Sequence, residues 1–316
     1  DPEWANKVKE NREEEIVPCI GCNECMFSIL AGNPVSCGVN PQCGREGEKI
    51  EKADIKKSVL IIGAGPGGLE TAITAAKRGH EVTSWEKGQA IGGNLIPASA
   101  PNFKNDLKRL IKYYDNQLKK LNINIVFNKE GNDEEILIEN PDVLVISTGS
   151  EPIIPKIDGI RSENVHLATD ILVDDSKIGE NIIVAGGGFV GCETAVYLSG
   201  KGKKVTIVEM KDSILAEPMA LNNMIALRTM IAKNKIEIIT GSKLTEIKDN
   251  KAILINSNGE VREVKCDSLV LALGFKSLQK LKDNLKVKDI RIIGDATSPR
   301  RIKHAVAEGF QLAIEI

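Results

Sequence analysis

Short apolar runs that end in glycine recur along the chain. Residues 58–62 (Ser-Val-Leu-Ile-Ile) run into glycines, and a stretch over about 66–78 keeps a helical pattern before a second extended run at 81–85. A run apolar on both faces, then a helix, then another such run predicts a βαβ unit opening a parallel sheet. A long amphipathic helix is expected over 102–121, followed by extended runs at 123–127 and 143–147. The pattern then restarts: extended at 181–184, helical over 189–201, extended at 204–209, helical again over 219–234. Residues 236–273 predict short strands broken by Asn258-Gly259, a hairpin signal. Residues 290–294 and 302 onward predict strand, loop and helix. The first 52 residues are different, being polar and turn-rich, with 1–15 helical and the cysteines on loops. Recurrence from Gly63 to Gly186 signifies a duplicated domain, since solenoids repeat every ~20–50 residues.

Composition narrows the function classes. Hydrophobic residues make up 42% and charged residues 27% of 316, an ordinary globular balance. The 42 Lys and Arg against 44 Asp and Glu leave a net charge of −2, so bulk charge draws the chain neither to nucleic acid nor to a membrane surface. No apolar run approaches the ~18 residues that span a bilayer, and a cytoplasmic location is expected. Five of seven cysteines (Cys19, Cys22, Cys25, Cys37, Cys43) crowd into one segment, which is not how stapling disulfides are distributed.

The first glycine motif is Gly63-Ala64-Gly65-Pro66-Gly67-Gly68, placed between a strand and a helix. In such a loop one glycine allows the tight turn, a second lets backbone approach a pyrophosphate, and a third lets the helix pack closely. The helix N-terminus adds N–H donors and a positive dipole end. Glu86 closes the next strand 23 residues after Gly63, where an acid accepts from a ribose hydroxyl. The second motif, Gly186-Gly187-Gly188-Phe189-Val190-Gly191, has Glu209 at the same 23-residue distance. An acid there accepts from a 2′-hydroxyl and repels a 2′-phosphate, so NAD is favoured over NADP, with Lys211 a partial counterweight.

Three further segments carry the reading on. Residues 145–149, ending Thr148-Gly149, and 271–274, ending at Gly274, are buried-type strands that stop on glycine and suit crossings between domains. Residues 290–296 run into Gly294-Asp295. Together with the turn Ile91-Gly92-Gly93-Asn94, these segments resemble the flavoproteins with two dinucleotide-binding domains, from about residue 57 to the end. The resemblance implies FAD on the first motif (Gly63, Gly65, Pro66, Gly67, Gly68, with Glu86, Lys87, Gly93 and Asn94) and NADH on the second (Gly186, Gly188, Phe189, Val190, Gly191, Glu209). It also implies cofactor contacts at Thr148, Gly149 and Gly274, and the return of Gly294-Asp295 to the flavin. Disulfide reductases of that superfamily carry a cysteine pair just after such a glycine pair; here 94–101 has none. Cys192 and Cys266 are isolated and read as core residues, so dithiol chemistry is disfavoured.

The crowded cysteines are spaced Cys19-x2-Cys22-x2-Cys25-x11-Cys37, with Cys43 beyond. Soft thiolates so placed call for a soft metal centre, and three close cysteines with a remote fourth suit a [4Fe–4S] cubane better than zinc. Asp1-Pro2-Glu3-Trp4, residues 18–23 and 37–41 resemble the stretch after the barrel in old-yellow-enzyme-type NADH:flavin oxidoreductases, the group that includes 2,4-dienoyl-CoA reductase and trimethylamine dehydrogenase. That resemblance implies Cys19, Cys22, Cys25 and Cys37 as ligands. The reductase pattern leaves three residues between its second and third cysteines where this chain has two, which keeps Cys43 in reserve. It also implies an FMN-bearing TIM barrel as the chain's missing N-terminal partner.

The expected fold class is α/β, with two Rossmann-like domains of the FAD/NAD(P)-binding, glutathione-reductase-like kind behind a cysteine-rich linker. The linker and barrel remnant take 1–52, the FAD domain 53–150 plus 267–316, and the NAD(H) domain 151–266. The expected function is electron input from NADH through FAD and [4Fe–4S] to FMN, serving reduction of an activated alkene, a small-molecule substrate. Two rivals stand beside it: an amine dehydrogenase with structural ADP in the first site, and a non-catalytic electron-transfer module. Cofactors carry such chemistry, so no catalytic side chain is assigned; His80, His166 and His304 are scattered.

Overall fold

The computed structural model describes residues 1–278 and 285–316. The chain divides into two compact units, one of Asp1–Ile96, Asp106–Glu151 and Lys276–Ile316, the other of Pro97–Asn105 and Pro152–Phe275.

The first unit is built on a five-stranded parallel sheet, ordered Asp289–Ile292, Val143–Ile146, Ser58–Ile62, Glu81–Glu86, Asn124–Phe127. Leu60, Ile62, Leu144 and Ile146 point to one face and pack with Trp85 and Ile136. Val59, Ile61, Val143 and Val145 are buried on the alternate positions, which is why these strands read as unbroken apolar runs. Helix Pro66–Arg78 follows the first strand, with proline at its start and Gly79 closing it in the left-handed region. It packs closely on the last helix, Ile302–Glu315. A Cβ on Gly309 would stand 2.3 Å from the Gly67 carbonyl oxygen, so only a bare backbone lets the two helices meet here.

The second unit repeats the plan. Its five-stranded parallel sheet runs Val165–Leu167, Ser268–Leu271, Asn181–Ala185, Lys204–Val208, Glu237–Ile239. Ile182, Val184 and Val270 pack with Cys192 and Leu198 on the side of helix Phe189–Gly200. Ile183, Ala185, Leu269 and Leu271 pack with Leu244, Leu254 and Cys266 on the other side. That second face is covered by an antiparallel sheet, Ser242–Lys248, Lys251–Asn256 and Val261–Lys265. Gly259, at φ +79°, turns its last hairpin, while Asn256 Oδ1 accepts from the N–H groups of Asn258 and Glu260.

The structure differs from the sequence reading at several points. The expected 102–121 helix is broken into a short turn, Asn102–Lys104, and helix Asp106–Lys120. A helix at Asp133–Glu139 went unread. The 1–15 segment holds only Trp4–Lys9 and a single turn at Glu13–Glu15. Cys25, expected on a loop, lies in helix Glu24–Leu30. The expected boundary at 266/267 moves to Phe275, because Ser268–Leu271 pairs in the second sheet, and 97–105 clusters with that unit too.

Candidate functional site

The two glycine loops have the same construction. Gly63 sits at φ +107° and Gly186 at φ +111°, and a Cβ on either would strike a carbonyl of the neighbouring strand end, Ser147 at 2.5 Å or Ala272 at 2.3 Å. A Cβ on Gly68 would fall 2.1 Å from the Gly63 oxygen, and one on Gly191 1.9 Å from the Gly186 oxygen. Nothing lies within 4 Å of where a Cβ on Gly65 or Gly188 would be, so each loop presents open backbone immediately before its helix. That is the arrangement a pyrophosphate needs at a helix N-terminus.

Each loop is locked to its acid. Ala64 N–H donates to Glu86 Oε2 at 2.8 Å and Gly88 N–H to Oε1 at 2.7 Å. Gly187 N–H donates to Glu209 Oε2 at 2.6 Å and Lys211 N–H to Oε1 at 2.8 Å. Both glutamates are 8% exposed. An ionised carboxylate has about four acceptor positions, so each keeps capacity for ribose hydroxyls after holding its loop. Lys87, next to Glu86, is exposed.

The first loop has additional walls. Gly92 N–H donates to Ala64 oxygen at 2.8 Å, and a Cβ on Gly93 would lie 3.3 Å from Gly65 Cα; Asn94 is exposed beside it. Thr148 Oγ1 donates to the Leu278 carbonyl at 2.5 Å, and Leu278 N–H to the Gly149 oxygen at 3.0 Å. Gly294 N–H donates to Glu308 Oε2 at 2.7 Å. Asp295 accepts from Ser150 Oγ at 3.0 Å and Arg300 N–H at 2.9 Å. Ser150, Arg300 and Glu308, which hold the Gly-Asp loop, are not singled out by the sequence reading; Ser150 lies 145 residues from Asp295, beyond any local pattern.

In the second unit Phe189 and Val190 pack half-buried on the core beside Cys192. Leu215, in the left-handed region at φ 55°, donates its N–H to the Gly187 oxygen at 2.8 Å. Such strain in a non-glycine residue tends to gather at ligand sites. Gly274, at φ +93°, accepts from Ile153 N–H at 2.9 Å.

The N-terminal cysteines lie in the first unit. Cys19 and Cys25 are exposed, and Cys22, Cys37 and Cys43 are half-buried. Cys22 sulfur accepts backbone hydrogen bonds from Glu24 and Gly38, and a Cβ on Gly38 would come within 2.8 Å of it. Burial raises the Cys22 thiol, and the charge of nearby Cys37 adds to that. Burial likewise raises Cys43, with Cys37 and Cys25 among its neighbouring charges. Cys22 sulfur thus already receives N–H donors of the kind that tune a cluster thiolate. These donors and thiols fit a sulfur-ligated centre. Among the described residues no three Cys, His, Asp or Glu side chains are grouped so as to hold a metal ion. Cys192 and Cys266 are buried, and burial pushes their thiols up to about 12 and about 11.

A profile of the pyridine nucleotide-disulphide oxidoreductases matches residues 57–309. Cinnamate reductase of Clostridium sporogenes is 38% identical over 322 residues, covering 100% of this chain and 48% of that protein. NADH oxidase of Thermoanaerobacter brockii is 39% identical over 329 residues, covering 100% and 50%. The solved structure of 2-naphthoyl-CoA reductase with 2-naphthoyl-CoA matches at a TM-score of 0.93 and 33% identity, covering 100% of this chain and 49% of that one. The fold and paired loops thus define a two-dinucleotide oxidoreductase. The chain belongs to the pyridine nucleotide-disulphide oxidoreductase family, and corresponds to the FAD- and NADH-binding portion of old-yellow-enzyme-type flavin oxidoreductases. It spans about half the length of the curated relatives it matches. No described helix is long and apolar enough to cross a membrane.

Proposed function

We propose that the chain is the electron-input half of an NADH-dependent flavin and iron–sulfur oxidoreductase. When bound, its groups supply hydride transfer from NADH to FAD and one-electron passage through [4Fe–4S] to FMN on a partner barrel that reduces an activated alkene. The observation that carries this reading is the duplicated loop and acid, open at Gly65 and at Gly188. Gly63–Gly68 with Glu86 would seat the FAD pyrophosphate and ribose, and Asp295 the ribityl chain. Gly186–Gly191 with Glu209 would seat NADH, with Gly274 at the strand end. Cys19, Cys22, Cys25 and Cys37 would hold the cluster; the nearness of Cys43 to Cys37 and Cys25 keeps it beside them. Two relatives are named as reductases of cinnamate and of 2-naphthoyl-CoA. Both compounds are conjugated unsaturated acyl groups, which favours an activated alkene over an amine as the substrate class.

The test is anaerobic purification followed by titration. Bound FAD whose absorbance is bleached by NADH and far less by NADPH supports the reading. Bound ADP without flavin, or FAD that NADH does not reduce, overturns it.

A further inference from the structure

Glu24 is a buried acid in the middle of the cysteine segment, 6% exposed. It stands beside Cys25 at the start of helix Glu24–Leu30, and its own N–H is one of the donors to Cys22 sulfur. The side chain leaves that helix toward the opposite end of the sequence. Oε1 pairs with Arg301 Nη1 at 2.6 Å, and Oε2 lies 3.8 Å from Lys303 Nζ. The Arg301 guanidinium also covers the Phe27 ring at 5.5 Å, and Lys303 Nζ reaches Ser28 Oγ at 3.3 Å. Glu24 Cγ is 3.8 Å from where a Cβ on Gly38 would lie, next to Cys37. Glu24 thus stands between its own cysteine turn, Gly38 next to Cys37, and the two cations that flank the first residue of helix Ile302–Glu315. That helix packs on Pro66–Arg78, and Glu308 within it holds Gly294 of the Gly-Asp loop.

A buried carboxylate with a single hydrogen-bonded cation is costly to keep unless the geometry is specific. An apolar residue would dock the helix without that cost, so the charge itself has a use. We propose that Glu24 is a positioning residue: with Arg301 and Lys303 it fixes the Cys22–Cys25 turn to the flavin-side helix and sets the electrostatic potential at the cysteine centre. The inference rests on the iron–sulfur reading above. Reduction potentials of such centres follow net charge, hydrogen bonds to sulfur and exposure. A negative charge beside the cluster opposes its reduction, and the paired cations offset that charge.

The two partners therefore act with opposite sign. In the anaerobically prepared full chain, Glu24→Gln removes negative charge and moves the cluster midpoint to a more positive potential. Arg301→Gln uncovers the carboxylate and moves it to a more negative one. Both variants keep their flavin content, and NADH-driven bleaching of the cluster slows about tenfold in Arg301→Gln. Potentiometry followed by electron paramagnetic resonance reads the shifts, and iron and sulfide analysis reads occupancy. Opposite shifts with flavin retained support the proposal. Unmoved potentials, shifts in one common direction, or loss of cluster in both variants without opposite shifts overturn it and leave Glu24 a structural contact. Wild-type chain without iron and sulfide would instead overturn the iron–sulfur reading, and the role of Glu24 with it.

Discussion

Glu209 holds its loop by two backbone N–H groups, so replacing it acts on the loop and, on the proposed reading, on the nucleotide as well. Glu209→Ala removes the repulsion toward a 2′-phosphate and leaves Lys211 close by. The preference for NADH over NADPH, read as the ratio of kcat/KM for flavin reduction, is expected to fall at least tenfold, about 1.4 kcal/mol. Gly191→Ala drives a methyl into the Gly186 carbonyl, 1.9 Å away before anything shifts. Forced backbone movement of this kind costs about 1–3 kcal/mol, so urea unfolding should show that loss together with weakened NADH binding by calorimetry. At the cysteines, burial keeps Cys192 and Cys266 protonated by pushing their thiols up to about 12 and about 11. Iodoacetamide at pH 8 should label exposed Cys19 and Cys25 in the folded chain once any cluster has been stripped, and should reach Cys192 and Cys266 only after unfolding, as peptide mass spectrometry would show.

Helix Pro66–Arg78 carries a buried charge of its own. Glu70 is pushed up to about 7 by burial, against the pull of Lys77, and Thr74 Oγ1 donates to it at 3.2 Å. Tyr113 and Tyr114 of helix Asp106–Lys120 face it, and their hydroxyls are raised by burial first and by Glu70 next. The folded chain keeps the Glu70 proton to about pH 7, whereas the unfolded chain releases it at the ordinary carboxyl value. The group's contribution is therefore complete at low pH and declines as pH rises toward 7. Glu70→Gln should flatten this decline, gaining at most about 3 kcal/mol at pH 8 relative to pH 4.5, as denaturant unfolding at the two pH values would show.

Elements also show what was legible in the sequence. The strands before Gly63 and Gly186 and the helices after them were readable because their periodicity changes at a glycine, and the structure matches them within a residue or two. Helix Asp133–Glu139 was missed because Ile136 is its one buried residue, while Leu137 and Ile138 are exposed among four acids and set no apolar stripe. Its signal was present: Asn132 Oδ1 accepts from Glu135 N–H as an N-cap, and the Asn132 side-chain amide donates to the Glu135 carboxylate. The ties from Glu24 to Arg301 and from Ser150 to Asp295 join distant residues. No local pattern encodes such pairs, so the support of the candidate site was invisible where its loops were plain.

At the scale of the whole molecule, each glycine loop draws its lock from its own unit: Glu86 and Ser147 for the first, Glu209 and Ala272 for the second. Distant sites with separate partners behave additively within about 0.5 kcal/mol. Gly68→Ala should thus strip the first-site ligand while leaving second-site NADH affinity within about twofold by calorimetry. The two sheets differ in the origin of their edge strand. The second borrows Val165–Leu167 from just upstream, and the first takes Asp289–Ile292 from near the end of the chain. Domains generally fold as units during synthesis, the N-terminal one first. Here the segments of the two units interleave along the chain. The second unit is complete by Phe275, whereas the first still lacks its edge strand and closing helix at that point in the chain. The first glycine loop therefore waits for residues more than 200 positions downstream before its sheet gains strand Asp289–Ile292 and its helix gains the partner Ile302–Glu315.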